Sequence, residues 1–397
     1  MVMHIDLNSA FATIEQQSRP MLRGRPVAVV NRRTINTSII TASYEAKEKG
    51  VKVGMSFREA KYLCPGIIAI ESDPIKYRFV YKKLLNILQD YSPKALMKSI
   101  DEGLIDFKGL AVNRPMIDVG FEIKQRLKNE IGNVMRCNVG IGTNRFLAKT
   151  AASLHKPDGL DEINYKNLRE VYGSLELQDL TGIARRYAAR LEAVDITTPL
   201  EFLDASESTL EKIVFRGIVG KQWYMRLRGW EVDDREFAMG RVGRQYVLEN
   251  SRMNYEQILV RLHHLCESVG MRLRSQNISA RGVYVYARSS TYGFWHASRL
   301  LPLPFFSDKA IYSLASELFF KAPPDMREIG VHVYKLEPSQ RSQLDLFGDA
   351  IARERRRFTA VDDINYRWGD RTIHSAHTLN SGEFVKQKIP FGGTRYF

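Results

Sequence analysis

The stretch "MKSIDEGLIDF", Met97 to Phe107, decides how this chain is read. Met97, Ile100, Leu104, Ile105 and Phe107 give it the look of a half-buried β-strand, and among them stand two adjacent carboxylates, Asp101 and Glu102. Two readings are open: the carboxylates pair with a lysine, or they hold a divalent cation. Successive strand side chains point to opposite faces, so the two acids share one site only at a turn or bulge, for which Gly103 offers a place.

A third acid has the same setting far away in sequence. Asp6 lies between Ile5 and Leu7 in "MHIDLNSAF", which reads as a strand running into a helix. Three carboxylates from two neighbouring strands suit a pair of Mg²⁺ ions, which take hard oxygen ligands and leave positions for substrate phosphates.

Composition narrows the setting. A chain of 397 residues predicts two to four domains, and 44% hydrophobic with 26% charged residues is ordinary for a globular protein. The formal charge of +14 points to a polyanionic partner, nucleic acid or an acidic membrane surface. Basic residues recur in "RRYAARL", "FRGIVGKQWYMRLRGW" and "ESVGMRLRSQNISARG" rather than in one tail. Apolar runs are only strand-length, which predicts no membrane span, and the first residues carry no signal-peptide pattern. Cys64, Cys137 and Cys266 are too scattered for zinc or a disulfide framework, so a reducing cytoplasm is expected.

Along the chain, "RPVAVVN" and "SIITASY" read as short buried strands and a helix begins at Tyr44. "SFREAKYLCPG" carries a capping box and a Pro-Gly stop, and "PIKYRFVYKKLLNILQDYSP" is amphipathic. Helices are predicted around "MIDVGFEIKQRLKNEIG" and "NRFLAKTAASLHK", with the strand "CNVGIG" between them. From about 167 to 233 short helices with basic connections follow. A strand–helix–strand–strand–helix–strand unit then begins near 243, and the last fifty residues look less regular.

"DLNSAFATIEQQSRPMLRGRPVAV", "TASYEAKEKGVKVGM", "SIDEGLIDF" and "GIGTNRFLAKTAASLHKPDGL" occur in that order and at fitting distances. Together they resemble the Y-family translesion DNA polymerases, especially the bacterial DNA polymerase IV type, over roughly the first 345 residues. The resemblance implies an α+β multidomain fold shaped as a right-hand polymerase. Palm would be 1–18 and 77–166, fingers 19–76, helical thumb 167–233, linker 234–242, an α+β little finger 243–337 and a tail 338–397.

By that resemblance Asp6, Asp101, Glu102 and the backbone carbonyl of Leu7 would hold two Mg²⁺ ions. A primer 3′-hydroxyl would then attack the α-phosphate of a deoxynucleoside triphosphate. Phe11 would be the sugar gate, and Tyr44, Lys47 and Lys156 would contact the nucleotide. Gly182, Arg185 and Arg186 fall in a segment resembling a helix-hairpin-helix that grips DNA. "QLDLF" resembles a sliding-clamp peptide, with Gln343, Leu344, Leu346 and Phe347 as its contacts. Primed template DNA and the clamp would be the partners of a cytoplasmic, nucleoid-associated monomer without membrane attachment.

The chain departs from the family pattern in four places. Asn8 stands where an acid is frequent, Ala10 where an aromatic is common, Lys47 where arginine is frequent, and Ala184 where a second hairpin glycine is expected. Lysine keeps the charge at 47 but loses the planar fork of arginine, and alanine at 184 predicts a distorted hairpin. The alternatives to a polymerase are a polymerase-like scaffold working through DNA and clamp, and a nucleotidyl cyclase with a related palm. The basic thumb-like region and the clamp-like peptide weigh against the cyclase.

Overall fold

In the computed structural model, which describes residues 1–110, 113–235, 239–248, 253–289, 291–339, 350–369 and 371–379, the opening residues form strand β1 (Val2–Leu7) at the centre of a five-stranded sheet. Residues 1–235 make one structural unit and the described residues from 239 to 379 another.

The first unit continues with α1 (Ala10–Ser18), β2 (Val27–Val30), β3 (Ile39–Ala42), α2 (Tyr44–Lys47), α3 (Phe57–Leu63), β4 (Ile68–Glu71) and α4 (Pro74–Gln89). Next come β5 (Leu96–Met97), β6 (Glu102–Asp106), α5 (Met116–Glu130), β7 (Cys137–Gly142), α6 (Arg145–Leu154) and β8 (Leu160–Ile163). Short helices α7 (Leu168–Gly173), α8 (Arg185–Glu192), α9 (Pro199–Asp204) and α10 (Ile218–Leu227) complete it. The large sheet has the order β5-β6-β1-β7-β8, and β3-β2-β4 form a small sheet of their own.

Alternation along β1 explains the layering. Met3, Ile5 and Leu7 share an apolar core with residues of α1, α4 and α5, while His4 and Asp6 lie on the opposite face. On that face β7 presents Gly140 and Gly142, and α6 lies against them so closely that a Cβ at Gly140 would sit 2.1 Å from the Ala148 carbonyl oxygen. The far side of α6 buries Phe146, Leu147 and Ala151 among the short helices, with Trp223 and Leu227. Asn144 caps α6 by accepting from the Leu147 amide at 2.7 Å, and its own amide donates to the carbonyls of Arg226 and Trp230.

The decisive stretch is a hairpin rather than the single strand expected. Lys98 donates its amide to the Glu102 carbonyl at 2.8 Å, and Ser99 Oγ accepts from the amides of Asp101 and Glu102. The break therefore falls at Ser99–Asp101, and Gly103 lies within β6, paired with Ile5. Gly103 serves close packing instead: a Cβ there would meet Leu88 of α4 at 2.2 Å. The edge strand β8 was not expected, because "LDEI" has only two apolar residues.

The second unit holds β9 (Arg241–Val247), α11 (Tyr255–Ser275), β10 (Ile278–Ser289), β11 (Phe294–Phe305), α12 (Asp308–Phe319) and β12 (Met326–Pro338), in the order the sequence predicts. Its antiparallel sheet runs β11-β10-β12-β9. Alternate residues Val283, Val285, Ile329, Val331 and Val333 are buried, as are Leu262, Leu265 and Val269 of α11. The tail is more regular than expected, because residues 350–368 form helix α13 (Ala350–Trp368). Arg274 of α11 anchors it through bonds of 2.6 and 2.8 Å to the Asp362 carboxylate, and Arg371 pairs with Glu267.

Candidate active site

Asp6 and Glu102 are direct partners across the β1–β6 ladder, so their side chains leave the sheet on one face. Asp101 sits in the preceding turn, free of strand alternation, and its carbonyl accepts from the Leu7 amide at 2.9 Å. The turn removes the strand alternation that would send the two adjacent acids to opposite faces.

Asp6, Leu7 and Asp101 line a cavity of about 310 Å³, together with Asn8, Phe11, Ile40, Thr41, Tyr44, Lys47 and Lys156. Residues separated by up to 150 positions thus meet at one opening. Glu102 does not line it; its carboxylate is turned to Lys149 of α6 at 2.8 Å. Lys156 reaches Asp6 from the loop after α6.

The three acids differ electrostatically. Burial pushes the Asp6 carboxyl above the usual range, and Lys156 opposes that only in part. Burial also raises Asp101, with Asp6 and Glu102 adding repulsion against the Ser99 hydrogen bond of 2.5 Å. Glu102 is partly buried too, yet the hydrogen bond and charge of Lys149 hold it below its ordinary value. His4 is pushed down to about 4 by burial and is neutral, so its 3.7 Å approach to Glu102 is not an ion pair.

Among the described residues, no three His, Cys, Asp or Glu side chains are arranged as a ready metal cage. The donor chemistry nevertheless fits a hard cation. Two half-buried carboxylates face one cavity with raised proton affinity, and an ammonium already answers the negative charge there.

Phe11 lines one wall, stacked on Tyr77 with ring centroids 4.4 Å apart. No local motif marks the support behind it: Tyr77 donates to the fully buried Glu15 at 3.0 Å, and Lys76 holds the other carboxylate oxygen at 2.9 Å. Tyr44 opens α2, and Lys47 lies over its ring at 4.7 Å. Burial and Asp6 raise the Tyr44 hydroxyl, while loss of water and the charge of Lys156 lower Lys47.

Away from the cavity, Arg185 and Arg186 are exposed at the start of α8. Gly182 has φ +99°, where glycine is favoured, but Ala184 has an extended φ of −96°. The distortion expected from alanine at 184 therefore has no backbone cause. Gln343, Leu344, Leu346 and Phe347 lie outside the described residues.

Comparison with known proteins gives a concordant result. The impB/mucB/samB family matches residues 5–153, and its C-terminal domain matches residues 242–346. The DNA polymerase IV of Moorella thermoacetica is 34% identical over 386 residues, covering 94% of this chain and 95% of that one. That of Pelotomaculum thermopropionicum is 31% identical over 393 residues, with 96% of each chain covered. Among solved structures, a Y-family DNA polymerase chimera superposes with a TM-score of 0.72 at 23% identity, over 84% of this chain and 98% of that chain. An insertion ternary complex of Dbh DNA polymerase gives a TM-score of 0.60 with the same coverage. The α+β arrangement is thus that of a Y-family polymerase, and by its full-length relatives the chain belongs to the bacterial DNA polymerase IV group of that family.

Proposed function

We infer that this protein is a template-directed DNA polymerase of the lesion-bypass type, extending a primer 3′ end with deoxynucleotides. The observation that carries the inference is the convergence of Asp6 and Asp101 on a cavity walled by Phe11, Tyr44, Lys47 and Lys156. In this reading the five-stranded sheet is the palm (1–18 and 77–166), 19–76 the fingers, 167–233 the thumb, 234–242 the linker and 243–337 the little finger.

Asp6, Asp101, Glu102 and the Leu7 carbonyl are the groups that would hold two Mg²⁺ ions. When bound, such ions supply activation of the primer hydroxyl and neutralise charge on the leaving group. The chain itself binds and orients. Lys156 and Lys47 offer ammonium groups to a triphosphate, and the Tyr44 hydroxyl offers a donor beside them. Phe11, braced by Tyr77, closes the space beside the sugar against a 2′-hydroxyl. Ala10, in the lining where an aromatic is common, leaves room that suits a distorted template.

Gly182, Arg185 and Arg186 serve the backbone of primed DNA, and Gln343, Leu344, Leu346 and Phe347 dock a sliding clamp. The protein works as a monomer in the cytoplasm, at the nucleoid. A catalytically silent scaffold is the less favoured reading, because all three acids are present.

Primer extension with Mg²⁺ and deoxynucleotides tests the reading, with Glu102→Ala as control. Extension no greater than that control overturns it. Deletion of 343–347 should remove clamp stimulation and spare basal synthesis; stimulation that survives dismisses the clamp assignment.

A further inference from the structure

Strand β1 ends at Leu7, and the next side chain, Asn8, is 3% exposed and faces the fully buried Asn138 of β7. The partners fix the sense of both amides. Asn8 Nδ2 donates to Asn138 Oδ1 at 2.8 Å, and Asn138 Nδ2 donates to the His155 carbonyl at 2.8 Å. Asn8 Oδ1 accepts from the Asp158 amide at 2.8 Å, and Asn138 Oδ1 accepts from the Gly159 amide at 3.3 Å. These bonds grip the loop at 155, 158 and 159, on both sides of Lys156, whose ammonium meets Asp6.

A buried polar network with matched donors and acceptors rigidifies what it holds. We propose that Asn8 and Asn138 are positioning residues that set the reach of Lys156, tying its loop to the ends of the two strands beside the catalytic carboxylates. The inference rests on the assignment of Lys156 to the incoming triphosphate.

The network explains why position 8 is an amide in this chain. An aspartate there has acceptors only and would face Asn138 oxygen to oxygen. Turning the Asn138 amide over mends that contact but sets its oxygen against the His155 carbonyl and its NH2 against the Gly159 amide. At least one bond is lost either way, and a further negative charge enters beside Asp6.

Single-turnover insertion of deoxyguanosine triphosphate opposite a template cytosine tests the proposal on the full chain. The proteins compared are the wild type, Asn138→Leu, Asn138→Ser, Lys156→Met and each asparagine variant combined with Lys156→Met. Loss of a buried hydrogen-bonding partner should weaken nucleotide affinity by about tenfold in Asn138→Leu, with the maximal rate and DNA affinity held within about threefold. Because the asparagines act through the lysine, each double variant should bind nucleotide no worse than Lys156→Met alone. Losses that multiply in the double variants overturn the positioning role, as does unchanged nucleotide affinity in folded Asn138→Leu. Should Asn138→Leu fail to fold, the smaller, uncharged Asn138→Ser, which cannot reach both the His155 carbonyl and Asn8, carries the same comparison. Wild-type protein that does not extend a primer overturns the polymerase reading itself, and this role with it.

Discussion

Gly140→Ala should disable the protein from inside the fold. The added Cβ would lie 2.1 Å from both the Ala148 carbonyl oxygen and the Ala152 amide nitrogen, backbone atoms that no rotamer change can move. Restoring contact from 2.1 Å to at least 3.4 Å lifts α6 off the sheet by about 1.3 Å. The lift draws Lys149 away from Glu102, now 2.8 Å distant, and disturbs the packing of Phe146 and Leu147 on the short helices. Overpacking costs about 1–3 kcal/mol, and the half-exposed charged hydrogen bond adds about 1. For a unit of this size about 3 kcal/mol lowers Tm by roughly 6–12 °C. Calorimetry of the full chain measures it, with primer extension followed well below the transition. Gly66→Ala is the control, since its Cβ meets nothing within 4 Å, and a change within about 0.5 kcal/mol is expected there. Wild-type Tm and full extension by Gly140→Ala would refute the argument.

Phe11→Ala removes the ring stacked on Tyr77, about 0.5–1.5 kcal/mol beyond area burial, and should raise ribonucleotide incorporation. An unchanged sugar preference in primer extension removes the gate assignment. In the second unit, burial pushes His263 and His332 down to about 4 and His264 to about 3, from 6.5. The unfolded chain therefore binds more protons below pH 6.5, so stability present above that pH is lost on acidification, by up to about 1.4 kcal/mol per pH unit for each ring. A Tm of the second unit that stays flat between pH 7 and pH 5 contradicts this. Asp362→Ala deprives the nearly buried Arg274 of two hydrogen bonds while Asp308 remains, costing about 2 kcal/mol. Proteolysis should then cut residues 350–379 away from an otherwise resistant second unit; equal resistance sinks the anchoring claim.

Much of this fold was legible because its signals are local. The capping box at Ser56 and Glu59, the amphipathic run of α4 and the alternation in β10 and β12 act within a few residues. What escaped is non-local. The turn inside the decisive stretch depends on one serine hydroxyl taking two amides, and β8 exists because β7 offers it an edge. Helix α13 carries a dense run of arginines, and its inward residues, Phe358, Val361 and Ile364, are too few to stand out against that charge. In the site, the carboxylates and Phe11 could be named from sequence motifs. The pairs behind Phe11 and the Lys156 loop, Tyr77 with Glu15 and Asn138 with Asn8, join residues 62 and 130 positions apart.

The two readings first open for Asp101 and Glu102, lysine pairing and cation binding, are not exclusive. Lysine pairing is what Glu102 shows: Lys149 holds its carboxyl below the ordinary value despite burial, and a carboxyl kept ionised in this way is also a competent cation ligand. Pairing does not suffice on the cavity side, where Asp6 stays raised although Lys156 touches it and Asp101 stays raised although Ser99 donates to it. Burial thus outweighs the cationic and hydroxyl partners at the opening between Asp6 and Asp101, and in the proposed reading a hard cation supplies the compensating charge there. The excess of basic residues does not supply it, because several of them are tied up elsewhere, as Arg274 and Arg371 are in holding the tail. In the proposed reading, the positive charge that this opening lacks in a chain of +14 is brought by the ions that accompany the anionic nucleotide.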